Sequence, residues 1–396
     1  GSVTISGELL EKKTLTVTHD LTDSDGLSGA ISLQWLLDGI EINAATDNTY
    51  TLLPSDIGAR LHVLANYTDD LGASEQVSST STNEIAGQED LLVMIMADGI
   101  STNTSTDLGV SWSGEVEMFG DKDDGESHQS AMDSDGKGNI IMVWDAQEST
   151  LGGSNFEILY AFSHDDGITW SDPALLNPTD PGLNTDYNPN ISTNGQGRWI
   201  ASWESKESIG SNGSDYDVVY VVSDDNGLTW SEAKSINHYA TSDVASDINI
   251  DIGNDGGNNW LAIWISAYDL DLRSGTDFDI FASRSNDNGE TWTDAYILNS
   301  YGFSDTGNDR SPGIAMDNNG NAIVIWSSYD SFDSTIDTDG DIIAAYSVDY
   351  GQSWSNATVI NTHAEIDGNA ADERASVAMD NYGNAVVGYQ SQYDLE

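Results

Sequence analysis

Ser163-His164-Asp165-Asp166-Gly167-Ile168-Thr169-Trp170 is the stretch whose reading decides the fold. It returns as Ser223-Asp224-Asp225-Asn226-Gly227-Leu228-Thr229-Trp230, as Ser285-Asn286-Asp287-Asn288-Gly289-Glu290-Thr291-Trp292 and as Ser347-Val348-Asp349-Tyr350-Gly351-Gln352-Ser353-Trp354. An earlier copy runs from Ser105 through Asp107 and Gly109 to Trp112. The intervals between copies are 58, 60, 62 and 62 residues. A period of this length marks an array of one supersecondary unit, each copy burying its apolar face against the next.

The unit is clearest at 310–361. Ser311–Asp317 reads as a strand, Asp317–Gly320 as a turn and Asn321–Trp326 as a second strand. A polar loop over 327–340 leads to a third strand at Asp341–Tyr346. The Ser347–Trp354 phrase then turns the chain, and Ala357–Ile360 closes the unit. Four strands in about 50 residues is the size of a propeller blade. The same layout covers 128–177, 188–237 and 248–299. At the ends, Leu91–Met96 and Val116–Phe119 flank the first phrase and read as strands three and four. Ala375–Met379 and Asn384–Tyr389 read as strands one and two. Joined, they predict a fifth blade, since closure removes open sheet edges. The expectation is an all-β chain, with a five-bladed propeller over 87–394 closed two-plus-two.

Residues 1–86 form a separate all-β region. Val3–Ser6, Leu15–Thr18 and Arg60–Tyr67 alternate apolar and polar residues with the period of a strand. Trp35-Leu36-Leu37-Asp38-Gly39 runs into a hairpin turn. Several short strands at this spacing predict a β-sandwich. The run from Asp20 to Leu27, with Trp35–Gly39, Thr49–Leu52 and Asp56–Gly58, resembles the immunoglobulin-like modules of large bacterial surface adhesins. That resemblance implies a stalk unit. Asp20, Asp23 and Asp25 are candidate calcium ligands, because hard cations take carboxylate oxygens.

The net charge is −55, from 12 Lys and Arg against 67 Asp and Glu. That argues against nucleic-acid binding, which needs clustered cations, and against docking on an anionic membrane. No stretch of about 20 apolar residues could span a bilayer. The chain has no cysteine, so neither disulfides nor thiol chemistry apply. Gly1-Ser2 and Leu395-Glu396 read as cloning scars, which predicts a monomeric fragment of a larger extracellular or cell-surface bacterial protein.

The repeated phrase, Ser-x-Asp-x-Gly-x-Thr/Ser-Trp, resembles the Asp-box (the BNR repeat) of sialidase-like propellers. Its chemistry is that of a turn: the Asp accepts backbone N–H groups, the Gly takes positive φ and the Trp packs on a neighbour. Asp107, Asp165, Asp225, Asp287 and Asp349 are therefore structural. In that family the boxes lie on the face away from function.

The functional face is expected where blades connect and where strand two leads to strand three. Both places are acidic. Asn237 precedes Asp243 and Asp247, Asn299 precedes Asp305 and Asp309, and Asn361 precedes Asp367 and Asp372. Asp215/Asp217, Asp277/Asp279 and Asp339/Asp341 open the third strands. Repetition at equivalent positions implies a shared task such as tying each blade to the next. The oxygen-rich inter-blade loops also suit calcium, with Asp243, Asp247, Asp305, Asp309, Asp367 and Asp372 as candidate ligands. An aromatic column, Trp144, Trp203, Trp264, Trp326 and Tyr389, ends strand two of each unit and reads chiefly as core. Trp203, Trp264 and Trp326, with Tyr187, are the aromatic candidates for a sugar.

Sialidases use three arginines for the substrate carboxylate, with a Tyr–Glu pair and an acid/base Asp. Residues 87–394 hold five arginines. Arg310 and Arg374 begin strand one in successive units; Arg198, Arg273 and Arg284 lie elsewhere. The expectation is therefore a binding module for a glycan or a cell-surface protein, with Arg310 and Arg374 as ligand contacts. The alternative is a glycoside hydrolase on the same fold. It would use Arg310 and Arg374 if sialidase-like, or Asp145, Glu204 and Glu207 as carboxylates.

Overall fold

The computed structural model describes the chain except residues 11–12, 28, 86–90, 97–99, 106–115, 120–126, 148–154, 177–184, 207–214, 241–243, 271–276, 300–305, 331–338, 363, 365–369 and 393–396. The chain divides into two compact units. One comprises Gly1–Val93, Asn103–Glu115 and Gly136–Gly138; the other comprises Met94–Thr102, Val116–Asp135 and Asn139–Glu396.

The N-terminal unit has two antiparallel sheets. Val3–Ser6, Thr14–His19 and Thr49–Thr51 pair in that order. Ile40–Glu41, Ser32–Leu37, Leu61–Thr68 and Ser74–Ser78 make the other. The alternation in Leu61–Thr68 sends Leu61, Val63, Ala65 and Tyr67 inward. They share one core with Leu15, Val17 and Trp35, so a single apolar layer joins both sheets.

The second unit is an array of antiparallel sheets. The first four-stranded sheet holds Ser127–Ser134, Ile140–Ala146, Glu157–Ser163 and Ala174–Leu175. The second holds Asp186–Thr193, Trp199–Ser205, Asp217–Ser223 and Lys234–Ser235. The third holds Asp247–Asn254, Trp260–Ser266, Asp279–Ser285 and Tyr296–Ile297. The fourth holds Asp309–Met316, Ala322–Ser328, Asp341–Ser347 and Thr358–Val359. First strands of successive sheets lie side by side. Second strands are buried along nearly their whole length, only Ile323 being partly exposed, and are mostly apolar, as strands covered on both faces are. This is the blade layout the repeats predict.

The ends differ from expectation. Leu91–Met96, Ile100–Ser105 and Val116–Phe119 form a three-stranded sheet with Ile100–Ser105 in the middle. Asp372–Met379 and Ala385–Ser391 form a hairpin that, among the described residues, pairs with no other strand. Among the described residues the two ends therefore do not pair into the two-plus-two fifth blade. Ile100-Ser-Thr-Asn-Thr-Ser105 was the hidden strand: it has almost no apolar alternation to announce it. With no third strand beside it among the described residues, Ala385–Ser391 leaves Val386 75% and Tyr389 40% exposed.

Four of the five boxes are described, and all four have the same wiring; the first, with Asp107, lies outside the described residues. Asp165 Oδ1 accepts from Thr169 N (2.8 Å), its Oδ2 accepts from Thr169 Oγ1 (2.6 Å), and Ser163 Oγ accepts from Gly167 N (2.9 Å). Asp225, Asp287 and Asp349 repeat these bonds. Hydrogen bonds from Ser353 hold the Asp349 carboxyl down at about 2. The last three boxes also grip the sheet before them, Trp354 Nε1 donating to the Tyr296 hydroxyl (3.2 Å). Trp230 packs edge-on to Tyr160 and Trp292 to Tyr220, with centroids 5.6 and 5.8 Å apart. A Cβ on Gly289 (φ 78°) would stand 2.3 Å from Ile200 Cδ1. Only glycine meets both the left-handed turn and that approach.

The opposite ends of the sheets are joined by a side-chain amide. Asn237 Nδ2 donates to Asp217 Oδ1 (2.7 Å) in its own sheet and to Asp247 Oδ2 (2.6 Å) in the next. Asn299 does the same for Asp279 (2.9 Å) and Asp309 (2.7 Å), and Asn361 for Asp341 (2.8 Å) and Asp372 (2.7 Å). All of these residues are buried. The repeated Asn/Asp pattern thus ties each sheet to its successor. Hydrogen bonds to buried carboxylates are among the costliest to remove. Asn237→Ala is expected to lower unfolding free energy by about 3 kcal/mol, measured by urea denaturation. A loss below about 1 kcal/mol would show that the amide is not needed.

Candidate functional site

The first strands carry a second repeated feature. Each of the four-stranded sheets of the second unit, and the C-terminal hairpin, shifts register between its first and second strands. In the last four, one bulge residue is left-handed: Asn188 (φ 52°), Asn249 (φ 55°), Ser311 (φ 50°) and Arg374 (φ 55°). Asn takes this conformation readily, whereas Arg does so at a cost. Bulges re-aim side chains. These bulges lie next to the Asn–Asp bridges, because Asp247, Asp309 and Asp372 begin the same strands.

A cavity of about 350 Å³ opens among three successive bulges. Its walls are Ile248 and Asn249 from the third sheet, Arg310 and Ser311 from the fourth, and Glu373 and Arg374 from the hairpin. Ile265, Phe278, Ser327 and Tyr329 complete it. The Arg310 guanidinium lies over the Tyr329 ring, 5.5 Å from its centroid. Tyr329 donates a hydrogen bond to Glu373 Oε1. Burial and that bond raise the Tyr329 hydroxyl to about 12, so it stays protonated at neutral pH. The cavity lining therefore combines two arginines with the Glu373 carboxylate, small polar side chains and apolar ones.

Glu204 lies behind this wall. Its Oε1 accepts from Asn188 Nδ2 (2.5 Å) and from Asn249 N (2.6 Å), clamping the bulges of two adjacent sheets. Burial, with the Asp145 charge adding to it, pushes Glu204 up to about 7. Asp145, also buried, accepts from Gln129 N (2.6 Å) at the bulge of its own sheet. Two inner-strand acids behave likewise. Asp251 accepts from Asn190 Nδ2 and Ile314 N, Asp133 accepts from Thr193 N, and burial raises both to about 6.

Arg310 and Arg374, from successive sheets, both line this cavity. Tyr187 does not join them; its ring packs on Phe156 (5.1 Å) and Tyr216 (6.1 Å). Trp203, Trp264 and Trp326 are 0% exposed and cannot stack on a ligand. They are core, and Trp264 Nε1 donates to Asp247 Oδ1 (3.0 Å). Arg198 pairs with Asp224 (2.9 Å) and Glu290 (2.7 Å) beside the box turns, away from the bulges. Arg273 and Glu207 lie outside the described residues.

Of the candidate calcium ligands, Asp20 instead accepts from Ser2 N and Oγ. Asp23 and Asp25 come together with Asp69, their oxygens within 4.8 Å of one another. Asp247, Asp309 and Asp372 are occupied by the Asn bridges; Asp243, Asp305 and Asp367 lie outside the described residues. Sequence reading passed over Tyr329, Glu373 and Asn249. Each is a lone residue whose meaning depends on a bulge.

The profile of the BNR repeat-like domain matches residues 98–326. The chain belongs to that family. No curated protein sequence matches it. Among solved structures it is similar to the NanB sialidase of Streptococcus pneumoniae, at 12% identity and a TM-score of 0.48. That match covers 85% of this chain and 64% of the sialidase, so the chain spans less than two thirds of that protein. It is also similar to an α-L-arabinanase of Penicillium chrysogenum complexed with arabinobiose, at 15% identity and a TM-score of 0.46, covering 85% of this chain and 91% of that one. An α-L-arabinofuranosidase of Fusarium graminearum bound to an iminosugar inhibitor matches at 15% identity and a TM-score of 0.44, covering 80% and 81%.

The buried acids of the BNR repeats set a pH dependence. Glu204, Asp133 and Asp251 titrate higher in the folded chain than carboxyls do unfolded. Their protonated forms favour folding, and that contribution is lost as pH rises from about 4 through about 7. These groups should lower the melting midpoint across that window. Glu204→Gln should flatten part of the slope in thermal melts; an unchanged slope would mean Glu204 is not part of it.

Proposed function

We propose that this chain is a glycan-binding BNR module whose ligand is an acidic sugar held in the Arg310–Arg374 cavity. The observation that carries this reading is that two arginines from successive sheets, Arg310 and Arg374, line one bulge-lined cavity of an otherwise strongly acidic chain. A planar guanidinium pairs with a carboxylate in a two-pronged fashion that fits few other groups. Ser311, Ser327 and Asn249 suit sugar hydroxyls, and Ile248, Ile265 and Phe278 suit a pyranose C–H face. On this reading the successive sheets are six blades, one more than the five expected. The N-terminal unit is an immunoglobulin-like stalk, and the parent protein works at a bacterial cell surface.

One observation favours a second reading. The cavity holds a hydrogen-bonded Tyr–Glu pair, Tyr329 and Glu373, beside its arginines. Hydrolysis of a carboxylated sugar by a tyrosine nucleophile uses such a pair. Two cavity arginines are one short of the sialidase set, so binding remains the preferred function.

A glycan array followed by calorimetry tests the first reading. Binding should be confined to carboxylated sugars, and Arg310→Ala should weaken it at least tenfold, about 1.4 kcal/mol. Equal binding of neutral glycans by the parent and the variant would refute it. A fluorogenic sialoside tests the second. No turnover is expected; turnover abolished by Tyr329→Phe would make the chain a hydrolase.

A further inference from the structure

One position of strand two stands opposite the start of each bulge. Glu204 pairs there with Tyr187, Ile265 with Ile248 and Ser327 with Arg310. Ile265 and Ser327 line the cavity; Glu204, the same position one sheet earlier, does not. Its buried carboxylate reaches across to the third sheet instead. Glu204 Oε1 accepts from Asn249 N (2.6 Å) and Asn249 Nδ2 (3.4 Å), while Asn188 Nδ2 (2.5 Å) donates from the second sheet. Asn249 is itself a cavity residue. One carboxylate oxygen therefore ties the cavity wall to the sheet behind it.

That tie has work to do. Asn249 falls inside the register shift between Ile248 and Asp251, and its backbone is left-handed. A bulged N–H has lost its place in the ladder and must find another acceptor. A carboxylate is a stronger acceptor than a neutral oxygen. The charge of this one changes near neutrality, because burial and the Asp145 charge push Glu204 up to about 7. Around it stand Asp145 from the first sheet, Tyr187 and Asp186 on the strand opposite, and Tyr216, with the Lys206 ammonium 4.3 Å from the Tyr216 centroid. Burial raises the Tyr187 and Tyr216 hydroxyls above their ordinary value, so both stay neutral. On the third sheet, Asp251 is pushed up to about 6.

We propose that Glu204 is a positioning residue of the Arg310–Arg374 cavity: it holds the Asn249 wall from behind, and its charge sets how tightly the cavity takes an anionic ligand. The second half rests on the reading of the cavity as an acidic-sugar site. An anionic Glu204 opposes a sugar carboxylate across the wall, and a neutral one does not. Glu204 gains its proton as pH falls through about 7, while a sugar carboxylate stays ionised. Affinity for the acidic sugar should rise over the same interval, and by linkage binding should draw a proton onto Glu204.

Two measurements test this, and the first needs no sugar. In a pH titration followed by NMR, the Asn249 backbone amide of the parent should shift with a midpoint of about 7. A midpoint of about 6 would assign the titration to Asp251 and overturn the proposal, as would an amide that does not titrate. The second is calorimetry with N-acetylneuraminic acid and with glucuronic acid. The parent should bind about threefold more tightly at about pH 6 than at about pH 8. Glu204→Gln keeps an acceptor oxygen but no charge, so it should bind equally at both. A variant that keeps the parent's pH dependence would overturn the proposal. If the amide titrates as expected and neither acid binds at either pH, the acidic-sugar reading fails and the claim about ligand charge falls with it. Should Glu204→Gln not fold, the titration of Asn249 in the parent still decides.

Discussion

One asparagine amide between two buried carboxylates organises the repeat unit. Asn237, Asn299 and Asn361 each use both N–H groups of Nδ2, one for the acid that opens the third strand and one for the acid that opens the next sheet. The bond fixes where the next first strand begins, and hence where its bulge falls two residues later. The cavity is built from those bulges. Part of the chain's large negative charge is therefore not a solvated surface. It is buried at the junctions, where each acid needs a donor, a proton or a cation to remain.

The two ends of the sheets hold their acids in opposite states. At the box end, Asp165, Asp225, Asp287 and Asp349 receive several hydrogen bonds and titrate below the usual range, Asp349 at about 2. They are stable anions with no unmet valence, which suits a scaffold. At the bulged end, Glu204 is pushed up to about 7 and junction oxygens lack donors. The arginines that reach the cavity stand at that end too. Groups short of their preferred partners are where ligands add most.

Much of this was written in the sequence because it repeats. The box states its own hydrogen bonds, and a regular interval gives the sheets. The Asn/Asp spacing implied a tie between neighbours, and a tie is what those residues make. Features that occur once were harder to read. Ile100–Ser105 is a central strand made largely of polar residues, so period-2 reasoning missed it and paired the chain's two ends instead. Trp203, Trp264 and Trp326 already read chiefly as core from their place at the end of strand two, and their burial closes the second reading of a sugar platform. Tyr329 and Glu373, 44 residues apart, meet because a bulge turns strand one of the hairpin toward the fourth sheet. No local pattern encodes that meeting.

The central claim is that the bulged end, through Arg310 and Arg374, is where this BNR module takes its ligand. A crystal structure of the chain soaked with a carboxylated monosaccharide tests it most directly. The account predicts the sugar carboxylate between the two guanidinium groups, with the ring over Ile248 and Phe278. A sugar seated at the box turns, or an empty cavity at saturating sugar, would contradict it.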